Sequence, residues 1–209
     1  MWMMHWITSM VPTAAGLPDS DNAGAGRRPG VDLDFVTVDG GTFEYAPSAT
    51  SAARSFEYSG QAECIVDRRG NNYPLLADER GRIMLGPTLG AADLVWLRRA
   101  WNDAQREQPR NYPLVRAMPA TDAGFLDSLF EVLAATAGGP GTWVLHLGRR
   151  DYHVESLLEV SALLLKEKDL SDAVVDDPFG HSYRPARLSR GRLALTERHV
   201  VVYRETGPA

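Results

Sequence analysis

A chain of 209 residues with 44% hydrophobic and 23% charged side chains has an ordinary globular composition and is long enough to bury its own core. The formal net charge of −5 argues against a general nucleic-acid binder. A single cysteine, Cys64, excludes an intrachain disulfide and any thiolate metal cluster within one chain.

No stretch approaches the roughly 18 consecutive apolar residues of a membrane span, and the single cysteine fits a reducing compartment, so a cytoplasmic protein without a membrane span is expected. All but Lys166 and Lys168 of the 22 basic residues are arginine. Together with abundant Ala and Gly, this reads as the codon bias of a GC-rich bacterial genome.

Met1-Trp2-Met3-Met4-His5-Trp6-Ile7 is apolar but lacks the basic residues that precede a secretory core, and is read as uncleaved. Residues 12–30 are rich in Pro, Gly, Ala, Asp and Asn. Residues 1–30 therefore predict a flexible arm, with 31–209 as a single domain. Val31, Leu33, Phe35 and Thr37 share one parity against Asp32 and Asp34, which predicts a half-buried strand. Asp39-Gly40-Gly41 turns it into Thr42–Tyr45, and Pro47–Ala53 reads as a loop.

Gln61–Gly86 carries one turn twice: Asp67-Arg68-Arg69-Gly70 and Asp78-Glu79-Arg80-Gly81. In each, Asp bonds the backbone ahead and Gly supplies the positive φ that closes a hairpin. The apolar runs at Cys64–Val66, Tyr73–Leu76 and Ile83–Leu85 make this an antiparallel meander.

Beyond Gly86-Pro87 a helix is expected from Thr88 or Gly90, with Leu94, Leu97, Trp101 and Ala104 on one face and Pro109 as its stop. Tyr112–Arg116 is extended. A second helix starts at the cap Thr121, buries Leu126, Leu129, Phe130 and Leu133, and ends at Gly138–Gly141. Trp143–Leu147 reads as an interior strand. Gly148-Arg149-Arg150 then leads to a third helix capped by Asp151, with Val154, Leu157, Leu158, Ser161, Leu164 and Leu165 on its face. Asp169–His181 is a loop, and Arg192–Leu195 with His199–Arg204 forms a terminal hairpin. The fold class is α+β: a β-rich N-terminal half of antiparallel hairpins, three helices, one further strand and a C-terminal β-hairpin.

Sites are sparse. A helix N-terminus at 146–153 would attract anions, with Arg149, Arg150 and His153 around it. Gly180-His181-Ser182-Tyr183-Arg184 fails as a nucleophile elbow, since Arg184 stands where Gly is required. Asp176, Asp177 and His181 lack the ligand count and spacing of a metal site, so neither metal nor cofactor is expected.

Trp96, beside Arg99 and Asp103, falls opposite the apolar face of its helix, as an interface anchor would. Arg192, Arg198 and Arg204 share a parity and form a basic surface. With no motif that assigns a catalytic residue, the expected function is a non-catalytic protein-interaction or accessory protein of inhibitor or immunity type, with a protein partner. One alternative is a small enzyme acting on an anionic substrate at 146–153, which requires a pocket there with His146 or His181 converging on it. A second alternative is nucleic-acid binding through the Arg-rich C-terminal hairpin. Oligomeric state is not legible.

Overall fold

The computed structural model describes residues 33–139, 141–188 and 200–207; the expected N-terminal arm, 1–30, lies outside them. The first sheet grows from β1 (Phe35–Asp39), which a two-glycine turn, Gly40 at φ 54° and Gly41 at φ 74°, folds back into β2 (Thr42–Ala46). β3 (Cys64–Asp67), β4 (Asn71–Asn72) and β7 (Gly90–Ala91) complete an antiparallel sheet of order β2-β1-β3-β4-β7.

β1 is buried on both faces, not half-buried as its alternation implied. Val36 and Val38 enter the main core, while Phe35 joins a smaller one with Ile65, Ala52, Phe56 and Leu75. The second cover is α1 (Ala49–Arg54), in the stretch read as a loop. Ser48 caps it by accepting the Ser51 N–H, but its six residues are too few to show a helical period.

β5 (Leu75–Ala77) and β6 (Ile83–Leu85) form a separate two-stranded sheet over the smaller core. Both repeated turns thus close pairs, β3–β4 and β5–β6, as expected. The meander is nonetheless split between two sheets, with Pro74, which has no N–H, at the break.

α2 (Leu94–Glu107) starts later than expected, because Gly90–Ala91 is spent on β7 and Asp93 caps the helix through the Trp96 N–H. Its buried residues are Leu97, Trp101 and Ala104, and Trp101 packs edge-on to Phe43 and Tyr112, 5.2 and 5.0 Å between centroids. After β8 (Leu114–Val115), α3 (Asp122–Thr136) begins at Thr121 as expected. Phe125, Leu126, Leu129, Phe130, Val132, Leu133 and Ala135 are all buried, so the helix is apolar around most of its circumference and lies inside the main core between the two larger sheets.

The second sheet joins β10 (Arg150–Val154), β9 (Trp143–Leu147), β11 (Ala173–Asp176), β12 (Ser182–Leu188), β13 (Val200–Glu205) and β8 in that order, antiparallel except for β13–β8. β9 is interior, as its sequence implied. The sheet's inner face carries Trp143, Leu145, Val175, Tyr183 and Tyr203 into the main core, with α4 (Leu157–Leu164) packed there through Val160 and a 2.6 Å hydrogen bond between the Ser161 and Tyr203 hydroxyls. Strand alternation turns Val144, His146, Asp151, Asp176, Ser182, Arg184 and Arg204 to the outer face.

Two expectations fail in this half. Residues 150–154 are a strand, not the first turn of a helix; α4 starts six residues after the expected cap Asp151, at Leu157, capped by Ser156. β11 occupies part of the expected loop 169–181. The C-terminal strands β12 and β13 pair antiparallel, and the expected strand Arg192–Leu195 lies outside the described residues. No described helix is long and apolar enough to cross a membrane.

Candidate functional site

The densest polar cluster is built on the turn between β11 and β12, Asp177-Pro178-Phe179-Gly180. Asp177 Oδ1 accepts the N–H groups of Phe179 and His181, both at 2.9 Å, and Gly180 takes φ 89°. This is the chemistry of the two turns at Asp67 and Asp78: each Asp accepts N–H groups two and four residues on, and Gly70 and Gly81 have φ 79° and 76°.

Asp177 Oδ2 accepts from Arg116 at 2.5 Å and from the Tyr183 hydroxyl at 2.9 Å. Arg116 also donates to the Tyr183 oxygen and to Glu131, both at 2.6 Å. The Arg116 and Asp177 side chains are 1% and 0% exposed. Burial raises the Tyr183 hydroxyl far above its ordinary range, so it remains a donor. Burial lowers the Arg116 pKa, but Tyr183, Glu131 and Asp177 outweigh it and hold the guanidinium above its usual value. His181 sits at the rim, Nδ1 2.7 Å from Glu205 and Nε2 3.3 Å from Glu131. The cluster clamps the end of β8, α3 and the β11–β12 turn together.

A second polar row crosses the outer face. His146 is directly opposite Asp151, with Nδ1 2.8 Å from that carboxylate, and its Nε2 is 3.0 Å from Asp176 Oδ2. Asp176 Oδ1 accepts from Ser182 at 2.5 Å. Hydrogen bonds from Asp151 and then Asp176 raise the His146 pKa. Ser182 donates to a carboxylate and not to the imidazole, so the row is not a nucleophile–base pair. In both His146 and His181 the two ring nitrogens face carboxylates, which leaves no ring nitrogen directed at an open cavity.

The anion site expected at 146–153 loses its physical basis. With β10 in place of a helix start, no row of free N–H groups gathers there, and Gly148-Arg149 is the tip of a hairpin. Arg150 and His153, three apart, share a helix face but take opposite faces of a strand. A cavity of about 350 Å³ does open at this tip, lined by Arg149, Arg150 and Tyr152. Glu167, Asp169 and Asp172 line it too and offset the arginines, and neither His146, His153 nor His181 reaches it.

The remaining candidates separate cleanly. Asp176, Asp177 and His181 turn to different partners, and no metal-holding group of three occurs among the described residues. Trp96 is 37% exposed at the start of α2, next to Val95 at 63%, with Arg99 also exposed. Arg204 is exposed on β13, whereas Arg192 and Arg198 lie outside the described residues. Cys64 is buried in β3, where burial pushes its thiol up to about 11 and keeps it unreactive.

Comparison of the chain with protein-family models, with curated proteins and with solved structures finds no match.

Two surface features escape the sequence. Leu158 and Leu165, expected in the core, are 79% and 54% exposed, and with exposed Ala162 they form an i, i+4, i+7 apolar stripe along α4. The buried face is Leu157, Val160 and Leu164. The second feature is Arg184, directly opposite Arg204 across β12 and β13.

Proposed function

We propose that this is a non-catalytic protein-interaction protein, acting as an accessory or inhibitor-type partner. The observation that carries the reading is the outward stripe Leu158-Ala162-Leu165. A helix embedded by one apolar face has no folding reason to carry a second, and anchors at i, i+4 and i+7 are how an amphipathic helix engages a groove. Trp96 and Val95 at the start of α2 add a second exposed apolar cluster of the kind enriched at contact surfaces.

The test is site-specific photocrosslinking at position 158 in the native host, with a Leu158→Glu/Leu165→Glu variant as control. At exposed positions these changes alter stability by no more than about 0.5 kcal/mol, so a folded variant that no longer yields the crosslinked protein supports the reading. Turnover of a substrate, with no partner crosslinked at 158, overturns it.

A further inference from the structure

The outer face of the second sheet holds an electrostatic conflict that no acid among the described residues resolves. Arg184 and Arg204 are paired residues of the β12–β13 ladder. The Thr206 N–H donates to Ser182 O at 2.9 Å, which places Arg184 and Arg204 at a hydrogen-bonded pair two residues along the ladder. Their Cβ atoms are then about 5 Å apart. Both are exposed, and among the described residues neither makes an ion pair. Like charges facing each other across a sheet destabilise it.

The nearby acids are committed elsewhere. Asp176 spends one oxygen on Ser182 and the other on His146. Asp151 is turned to His146. Glu205, next in sequence to Arg204, belongs to the other face, where it meets His181 and the Ala117 N–H. The row continues onto β8 with Val115, paired to Arg204 and 37% exposed. Two guanidinium groups without an acidic partner among the described residues, beside an apolar side chain, are therefore presented in a line across three strands.

We propose that Arg184 and Arg204 form a carboxylate-binding site, where an acidic segment of a partner protein places an Asp or Glu between the two guanidinium groups and an apolar neighbour over Val115. The proposal rests on the protein-binding reading above and names its partner's chemistry. A carboxylate matches the planar donor fork of arginine and removes the repulsion between the pair. A nucleic acid fits less well: two arginines and a valine do not track a phosphate backbone, and the chain carries a net charge of −5.

The probe is a fluorescein-labelled peptide of alternating glutamate and valine, read by anisotropy against the full chain at low and at physiological salt. A glutamine–valine peptide, inorganic phosphate and a single-stranded DNA oligonucleotide serve as comparisons. The wild type is expected to bind the glutamate peptide and not the glutamine one, more weakly as salt rises. The Arg184→Gln/Arg204→Gln variant is expected to bind it about tenfold more weakly or worse, with Arg110→Gln unchanged. An Arg184→Glu/Arg204→Glu variant is expected to bind a lysine–valine peptide instead.

Equal binding by the Gln variant, or no binding at low salt, overturns the proposal. Phosphate or DNA that displaces the peptide at matched charge overturns it in favour of a phosphate site, and wild-type self-association lost in the Gln variant overturns it in favour of a second copy. The two readings fail separately. A host partner that depends on Leu158 but is indifferent to the arginines leaves the protein-binding reading standing without this site. Peptide binding that depends on the arginines, with no host partner crosslinked at 158, supports this site and removes the α4 stripe as the contact surface.

Discussion

The turns at Asp78 and at Asp177 are the same local object in two environments. Each places Asp ahead of a left-handed Gly, each aspartate accepts two backbone N–H groups, and each backbone closes from Gly to the Asp carbonyl, at 2.9 and 3.1 Å. At Asp78 the second oxygen meets Arg82, four residues away and 73% exposed, and hydrogen bonds from Arg82 and Arg80 hold the carboxyl below its usual range. At Asp177 the second oxygen meets Arg116, 61 residues away, with both side chains out of solvent. One turn ends a surface hairpin, and the other anchors the sheet.

The sharpest test of that difference is the pair Asp78→Asn and Asp177→Asn. Asn keeps the acceptor the turn needs, so any large loss comes from the charge. Asp177→Asn is expected to destabilise by about 3 kcal/mol, the low end for breaking a buried ion pair, because Arg116 keeps Glu131 as a second carboxylate partner, while Asp78→Asn leaves the denaturation midpoint nearly unchanged. Adding Arg116→Met to Asp177→Asn should recover part of the loss. Equal effects at the two positions would show that the Arg116 pair contributes no more than a surface contact.

Next in size, Gly81→Ala and Gly180→Ala should each cost about 1–2 kcal/mol from the left-handed backbone, since nothing crowds an added Cβ at either site. Unequal losses would mean that the turns are not the same local object after all.

A smaller effect concerns His146, another group tied to its neighbours by carboxylates. Its folded pKa lies above the unfolded value of 6.5. The stabilisation is therefore complete below about pH 6.5 and is lost as pH rises through the raised folded value. An NMR titration should give a midpoint above 6.5, and in His146→Gln that part of the pH dependence should vanish. The smallest expected change is a gain: Arg184→Glu replaces a like-charge pair by an opposite one and should stabilise by about 0.2–1 kcal/mol at low salt. A loss there would show that the two arginines do not repel across the ladder.

Signals for two missed elements were present in the sequence. Asp177-Pro178-Phe179-Gly180 repeats the Asp-x-x-Gly pattern, but Pro178 and Gly180 made it look like unstructured loop. Ser156 and Glu159 have the Ser-x-x-Glu spacing of a capping box, the Ser156 hydroxyl accepting the Glu159 N–H at 3.2 Å and donating to its carboxylate at 3.2 Å. That box marks the true start of α4, and the alternation Arg150, Tyr152, Val154 ahead of it is a strand period. Val154 and Leu157 are three apart and mimic a helix face, which drew the expected helix back over the strand.

By itself the sequence determined the α+β class, the turns at Asp67 and Asp78, the cap at Thr121, and the buried faces of α2 and α3, because each depends on residues within about one turn or hairpin of one another. Only the tertiary structure decided that β1 is covered on both sides, that Asp177 receives Arg116, that Leu158 and Leu165 face outward, and that Arg184 stands opposite Arg204. The strand cases depend on strand order and register, since a shift of one residue in register moves every side chain of a strand to the other face, and the outward face of α4 depends on which side of the helix packs on the core.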